Sequence, residues 1–431
     1  MISLARHAVL LRMFSSALGS QVVLSAVSFG VSLLLIRYSS DQQYGYYIVA
    51  MGIVLLACSL QSSFIAPSMV TRMTKLSHEE RGDLIGGLYR GQRRIVAAIA
   101  MVALIVALIL WSVLAVEFHV LLLVGVTTAV SVAALRRDFF RMVLLAYRRT
   151  HVVLVGDIVY ALIFMLGAIL ATIGAVPAVS AVLAAGLAAL IASRLMAHSL
   201  HRAEAWNALG APGILAEIAP LGAWSTAGAA IHWSFSQGYT ILAAATLDVS
   251  TVGAIAATRL LAMPVNLLST GIGSLMLPLA AQWLNEVGVA ALMRRLVWFG
   301  LGIAAVSAAY FAVLWGFRDW VFEALLGKQF AQRDLLLLLW SASFVLMAIN
   351  QQILWLLIVC ARFRHLTALT LLSAIIATVC SYWSMLHIGG AGAPLGILIG
   401  ESVNTIGIVI LCMRELTRHG TSHPPSLAIA D

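Results

Sequence analysis

The stretch LDVSTVGAIAATRLLAMPVNLLST, residues 247–270, is a long apolar segment in which one cation, Arg259, lies well inside. The chain around it is 62% hydrophobic and only 10% charged, whereas soluble proteins have about 25% charged residues. A bilayer core about 30 Å thick accepts helices of roughly 20 apolar residues directly. The segment therefore predicts a transmembrane helix, and the chain is predicted to be an all-α polytopic membrane protein.

Apolar runs bounded by charged, glycine or proline residues predict about twelve transmembrane helices, six in each half of the chain. The predicted spans lie near residues 15–36, 45–67, 95–115, 118–135, 152–174, 177–193, 222–246, 251–279, 296–316, 335–361, 365–387 and 393–413. The fourth span can also be extended through the sequence RRDFFRMVLLAY.

The positions of lysine and arginine predict the orientation of these spans, because basic loops are retained on the cytoplasmic side. With the N-terminus inside, most of the 26 basic residues fall in cytoplasmic segments. Both termini are therefore predicted to be cytoplasmic. The basic residues are scattered over short loops, so nucleic-acid binding is not predicted. Contacts with anionic membrane lipids are sufficient to explain them.

Two segments half a chain apart resemble each other. Each has an apolar helix end, a polar link with Asp41 or Asp248, a glycine at position 45 or 253, a long apolar helix and then a proline at position 67 or 278. This repeat predicts two six-helix lobes around a central cavity. The predicted division is an N-lobe at 1–200, a cytoplasmic linker at 201–220, a C-lobe at 221–413 and a cytoplasmic tail at 414–431.

Several polar residues within the spans are candidates for substrate binding. A charge at the centre of a membrane helix costs about 2.5 to 3.5 kcal/mol on insertion scales, so it usually faces protein or a wet cavity. Arg259 and Asn266 lie on the same face of the predicted helix. This face either lines such a cavity, or the arginine extends to the membrane interface or forms a structural pair. Similar candidates are Gln21 and Ser25 in span one, with helix packing as the alternative. His232 in span seven is a further candidate, and its alternative role is that of a satisfied hydrogen-bonding group.

Two acids and two arginines complete the candidates. Asp157 and Glu401 lie within predicted spans, and each either carries a coupling proton or monovalent cation or forms an interhelical bond. For Asp157 the alternative partners are Arg148 and Arg149.

In the sequence RRDFFRMVLLAYRRTH, Arg137 and Arg141 lie at helical spacing. They are either a retained inner helix end or a site for the phosphates of an anionic headgroup.

Neither catalysis nor a cofactor is predicted. The chain has no GxxxxGK[ST] loop, and the four cysteines lie in apolar runs without the spacing of a disulfide framework or a zinc site. No metal site is predicted either.

The overall pattern resembles a known family. Its parts are the YG link after helix one, RRDFFRMVLLAYRRTH, TVGAIAATRLLAMPVNLLSTGIGSLMLPLAAQWL before a basic loop, and VFEALLGKQF before span ten. They are similar to the Wzx-like polysaccharide flippases of the superfamily that also contains multidrug extruders and the lipid II flippase.

The resemblance implies that the protein moves an undecaprenyl-pyrophosphate-linked oligosaccharide across the bacterial inner membrane by alternating access. It also implies an essential arginine in the eighth helix, where Arg259 lies, and partners such as a polysaccharide polymerase and export machinery. An ion-coupled multidrug extruder of the same superfamily and a scaffold component of a glycan-assembly complex are the alternatives.

Overall fold

The computed structural model describes residues 2–73, 75–114, 118–203, 210 and 213–420, and no strand occurs among them. The helices are α1 (Ile2–Tyr38), α2 (Asp41–Met73), α3 (His78–Leu114), α4 (Phe118–Ala146), α5 (Thr150–Ala171), α6 (Pro177–Ala203), α7 (Ile214–Thr246), α8 (Val249–Leu260), α9 (Met263–Gly316), α10 (Arg318–Trp320), α11 (Arg333–Val359), α12 (Phe363–Ile388) and α13 (Gly392–Gly420). A single π-helical turn, Val321–Leu326, follows α10.

The described residues contain ten helical segments that are long and apolar enough to cross a bilayer. One segment, 363–418, consists of the two helices α12 and α13, and α8 with the start of α9 forms one further bent span. Counted in this way the described chain has twelve spans. The predicted all-α polytopic architecture is therefore confirmed.

Span eight is broken where the sequence predicted one helix from 251 to 279. The helix α8 ends at Leu260, α9 begins at Met263, and the two parts are bent by 52°. Pro264 explains the break. Proline has no N–H to donate to a carbonyl of the preceding turn, and its ring clashes with that carbonyl. Tyr310 donates its hydroxyl to the carbonyl of Leu261 at 2.8 Å and satisfies one of the acceptors that the break leaves free.

Other boundaries also differ in detail from the predicted ones. The helix α4 continues to Ala146, as the extended alternative for span four required. Gly288, with φ +76°, interrupts α9 and separates the eighth span from the ninth. The helix α7 begins at Ile214, inside the predicted linker, and α13 continues to Gly420, inside the predicted tail. Residues 421–431 lie outside the described residues.

The chain forms two compact units. The first comprises residues 1–233 and 249–253, and the second comprises residues 234–248 and 254–431. They follow the two halves of the sequence except in α7 and α8, each of which is divided. The first unit has a buried apolar core that includes Phe139, Phe140 and Met196, and the core of the second includes Leu292, Leu296 and Leu356.

Within the first unit, the glycines of the two repeats face each other's backbones. A Cβ added to Gly45 would lie 1.8 Å from the carbonyl oxygen of Val249, and one added to Gly253 would lie 2.5 Å from that of Asp41. Only glycine permits so close an approach of two helix starts. The repeat in the sequence therefore corresponds to a reciprocal contact in the structure.

Replacing Gly45 by alanine is expected to destabilise the first unit by about 1 to 3 kcal/mol, the usual cost of overpacking. The measurement is the thermal unfolding midpoint of the purified protein in detergent. Gly125→Ala in α4 is the matched control, because a Cβ there would have no neighbour within 4 Å. Equal midpoints for the two variants would contradict the close contact.

Candidate functional site

Arg259 lies in the last turn of α8, immediately before the break. This position suits a cation, because the C-terminal end of a helix carries partial negative charge. One guanidinium nitrogen, Nη1, donates to Oε1 of Gln237 at 2.7 Å and lies 3.4 Å from the hydroxyl of Tyr239. All three residues belong to the second unit, so α7 holds the guanidinium beside the break.

Two aromatic rings complete the surroundings of Arg259. Its guanidinium carbon lies 5.5 Å from the ring centroid of Tyr239 and 5.5 Å from that of Trp340, and the two rings are 5.4 Å apart. The three groups thus form a nearly equilateral triangle. Ring faces attract cations, so the aromatic pair stabilises the guanidinium without neutralising it.

The charge of Arg259 is not balanced by an acid in the part of the chain that the structure describes. Its hydrogen bonds go to an amide and a phenol, and none of the recorded ion pairs includes it. A half-buried cation with neutral partners attracts anions more strongly than a neutralised ion pair. The site therefore suits an anionic ligand.

The other polar candidates are less constrained. Asn266 is half-buried in the first turn of α9, so the break separates it from the helix of Arg259. Gln21 and His232 are exposed and Ser25 is half-buried. None of these last three is recorded with a hydrogen bond to a described residue, so they remain predicted contacts.

The structure brings Asp157, Arg137 and Arg141 together in the first unit. Asp157 is fully buried, and its carboxylate accepts from Nη2 of Arg137, from Nε of Arg141 at 3.0 Å and from the hydroxyl of Ser20. Arg137 also lies over the ring of Tyr160, 3.8 Å from its centroid. This network joins α1, α4 and α5.

The pairing of Asp157 bears on the roles considered for all three charged residues. Its partners are the two arginines of α4 and not Arg148 or Arg149, which follow α4 in sequence. Both oxygens of its carboxylate are therefore occupied by hydrogen bonds from side chains of the first unit. The carboxylate and the two arginines thus engage one another, which favours a structural role for all three.

Glu401 in α13 has a different environment. It is 8% exposed, accepts a hydrogen bond from Nδ2 of Asn350 at 3.2 Å and is also bonded to Asn404. No cation of the described chain pairs with it. Burying an unpaired charge is costly, so Glu401 is a stronger candidate for ion coupling than Asp157.

An apolar groove of about 410 Å³ lies elsewhere in the second unit. Tyr310, Val313, Leu314, Phe317, Trp320 and Val321 line it. It offers almost no polar surface, and Phe317 and Trp320 are exposed, so it is a surface for hydrocarbon and not for a charged headgroup.

Sequence reasoning did not select Gln237, Trp340, Asn350 or Ser20 as site residues. Trp340 is an aromatic residue within an apolar helix, a pattern that packing alone explains, and it lies 81 positions from Arg259 in the chain. Gln237 offered a weak signal, since an amide within a span needs a polar partner.

Comparisons with known proteins identify the fold. No family model matches the chain, and no curated protein matches it by sequence. Solved structures do match. The lipid II flippase MurJ in an inward closed conformation has a TM-score of 0.73 at 10% identity and covers 91% of this chain and 86% of its own.

Two other transporters agree. An inward-facing multidrug resistance MATE family transporter of the MOP superfamily has a TM-score of 0.72 at 15% identity, covering 93% of this chain and 96% of its own. The chain has the fold of these transporters. A MOP superfamily transporter from Pyrococcus furiosus, whose binding pocket is described as reversed in polarity, has a TM-score of 0.64 at 14% identity over 96% of both chains.

The predicted all-α, multi-pass fold is thus confirmed. The Wzx-like assignment is finer than these likenesses and stays a prediction, as does the lipid-linked substrate.

Proposed function

We propose that the protein is a flippase that moves an undecaprenyl-pyrophosphate-linked oligosaccharide from the cytoplasmic to the periplasmic leaflet of a bacterial inner membrane. Its product serves cell-surface or exported polysaccharide. Transport proceeds by alternating access between two lobes, and both termini are cytoplasmic. The observation that carries the proposal is Arg259, a cation within a transmembrane span that no carboxylate of the described chain neutralises.

The chemistry of the substrate fits that cation. A pyrophosphate is anionic, and a guanidinium binds phosphate oxygens through charge-assisted hydrogen bonds. The lipid tail stays in the bilayer while the headgroup crosses, so the protein needs a wet, cationic path rather than a closed pore. Gln21, Ser25, His232 and Asn266 provide polar groups for the glycan in this proposal. Arg137 and Arg141 are left out, because Asp157 engages both.

Glu401 is the residue that we assign to ion coupling. Replacing it by glutamine removes the titrating carboxylate but keeps the shape and a hydrogen-bonding group. We expect a proton or sodium gradient to accelerate lipid flipping by the wild-type protein in proteoliposomes, and Glu401→Gln to abolish that acceleration. Glu217→Gln is the control, since Glu217 has an exposed carboxylate that pairs with Arg72 at 2.7 Å. A variant at position 401 that still responds to both gradients would exclude this role.

An ion-coupled multidrug extruder is the second candidate. It is favoured by the acid at position 401 and by the aromatic cluster of Tyr239, Trp340 and Phe344, because aromatic rings and carboxylates bind cationic drugs. Arg259 opposes it, since the guanidinium already occupies that cluster and repels cations.

Headgroup accessibility in cells that lack the protein separates the two candidates. The flippase predicts that the lipid-linked oligosaccharide accumulates on the inner face of the membrane, where an impermeant glycan-oxidising reagent does not reach it. The extruder predicts normal exposure on the outer face together with sensitivity to cationic dyes.

A further inference from the structure

Two buried N–H groups in the cluster of Arg259 and Trp340 have no acceptor. They are Nε of Arg259 itself and Nε1 of Trp340, and neither is hydrogen-bonded. Trp340 is only 2% exposed, so water does not satisfy its indole from the surface. A buried donor without a partner destabilises the folded protein, and native proteins rarely retain one without a reason.

The two unpaired donors belong to one cluster. The guanidinium carbon of Arg259 and the Trp340 ring are 5.5 Å apart, and Tyr239 closes the triangle with its ring. The acceptors nearby, Gln237 and Tyr239, are both used by Nη1 of the arginine. The cluster therefore has surplus donors and surplus positive charge, which is the opposite of a cation site.

We infer that Trp340 is a second ligand-binding donor, and that Arg259 Nε and Trp340 Nε1 together hold an oxygen of a phosphoryl group. This inference rests on the proposed function, which supplies an isoprenyl diphosphate as the ligand. A phosphoryl group presents several acceptor oxygens, so it satisfies both donors at once and balances the charge. The indole N–H only donates, so Trp340 adds selectivity for anions over cationic drugs.

The ring of Trp340 and its N–H then have separate tasks. The ring stabilises the guanidinium before the ligand arrives, and the N–H becomes satisfied only when the anion is bound. Removing the N–H without removing the ring isolates the second task. A hydrogen bond to a charged group contributes about 1.5 to 3 kcal/mol, which predicts a loss of affinity of about tenfold or more.

The test measures binding of farnesyl diphosphate and inorganic pyrophosphate to the full-length protein in nanodiscs by calorimetry. Two changes at position 340 are compared, Trp340→Phe and benzothienylalanine, which keeps the bicyclic shape and replaces N–H by sulfur. Trp355→Phe is the matched control, because Trp355 lies on the same helix, about 22 Å away, and its Nε1 is also unpaired.

We expect both changes at position 340 to weaken farnesyl diphosphate binding about tenfold or more, and Trp355→Phe to leave it unchanged. Wild-type affinity in the benzothienylalanine protein would overturn the inference about Trp340. This holds even if the variant Arg259→Lys lost binding, because that result would concern only the arginine. No binding of either probe to the wild-type protein would also overturn it.

The proposed function is judged separately. Tryptophan-dependent binding together with normal outer-face exposure of the lipid-linked oligosaccharide in deletion cells would uphold the inference and refute the flippase. Equal affinity for the two probes would support the role of the two donors in binding and would assign the site to a soluble diphosphate. Tighter binding of farnesyl diphosphate would assign the site to a lipid headgroup.

Discussion

Replacing Arg259 by alanine is expected to reduce export of the lipid-linked oligosaccharide strongly while the protein remains folded in the membrane. Alanine removes the guanidinium that the described site offers to a pyrophosphate. Charge-assisted bonds of about 1.5 to 3 kcal/mol each correspond to a loss of affinity of about tenfold or more. Folding should survive, because the guanidinium has neutral partners and its removal leaves no opposite charge unpaired.

The measurement is complementation of a deletion strain, with surface polysaccharide, membrane abundance and thermal midpoint determined for each variant. Arg259→Lys keeps the charge and loses the planar donor fork, so it should restore export only in part. Arg364→Ala removes a cation from an exposed position and should export normally. Wild-type export by Arg259→Ala at normal abundance would remove the basis of the proposed function.

Replacing Asp157 by asparagine is expected to destabilise the first unit by about 3 to 5 kcal/mol, the usual effect of removing one partner from a buried ion pair. Arg137 and Arg141 have side chains only 14% and 23% exposed. Without the carboxylate their charges repel each other in a poorly solvated place. The thermal midpoint in detergent and the abundance in the membrane should both fall.

Two comparisons make the result specific. Asp334→Asn, which removes a carboxylate that is 48% exposed, should cost at most about 1 kcal/mol, as surface ion pairs do. The triple variant with Arg137→Gln and Arg141→Gln added to Asp157→Asn should recover part of the lost stability, because neither guanidinium is then left without the carboxylate of Asp157. A stable Asp157→Asn protein that flips lipid without responding to ion gradients would instead assign coupling to Asp157.

The architecture could be predicted from the sequence because membrane spans are local. Each requires about 20 apolar residues, and such runs are visible without knowledge of any contact. The break in span eight was also encoded locally, by Pro264, but its position depends on whether the proline begins a new helix or bends an old one. Tyr310, 49 positions from Leu261, helps to stabilise the first of these outcomes.

The candidate site was only partly predictable. Arg259 stood out because a charge in an apolar span is rare, whereas the partners of a charge come from other helices. For Asp157, proximity in sequence suggested Arg148 and Arg149, yet the packing of α4 against α5 selects Arg137 and Arg141, which are one helical turn apart on a common face. Such choices depend on the register between helices, and a single sequence does not contain that register.

The burial of Arg259 among Gln237, Tyr239 and Trp340 has a consequence for ionic strength. Counterions screen exposed charges over about 8 Å at physiological salt, but they screen partly buried charges much less. A headgroup held by lysines and arginines on a membrane surface would dissociate as sodium chloride rises. A headgroup held by this enclosed guanidinium should stay bound, so transport would tolerate wide changes in the salinity of the surrounding medium.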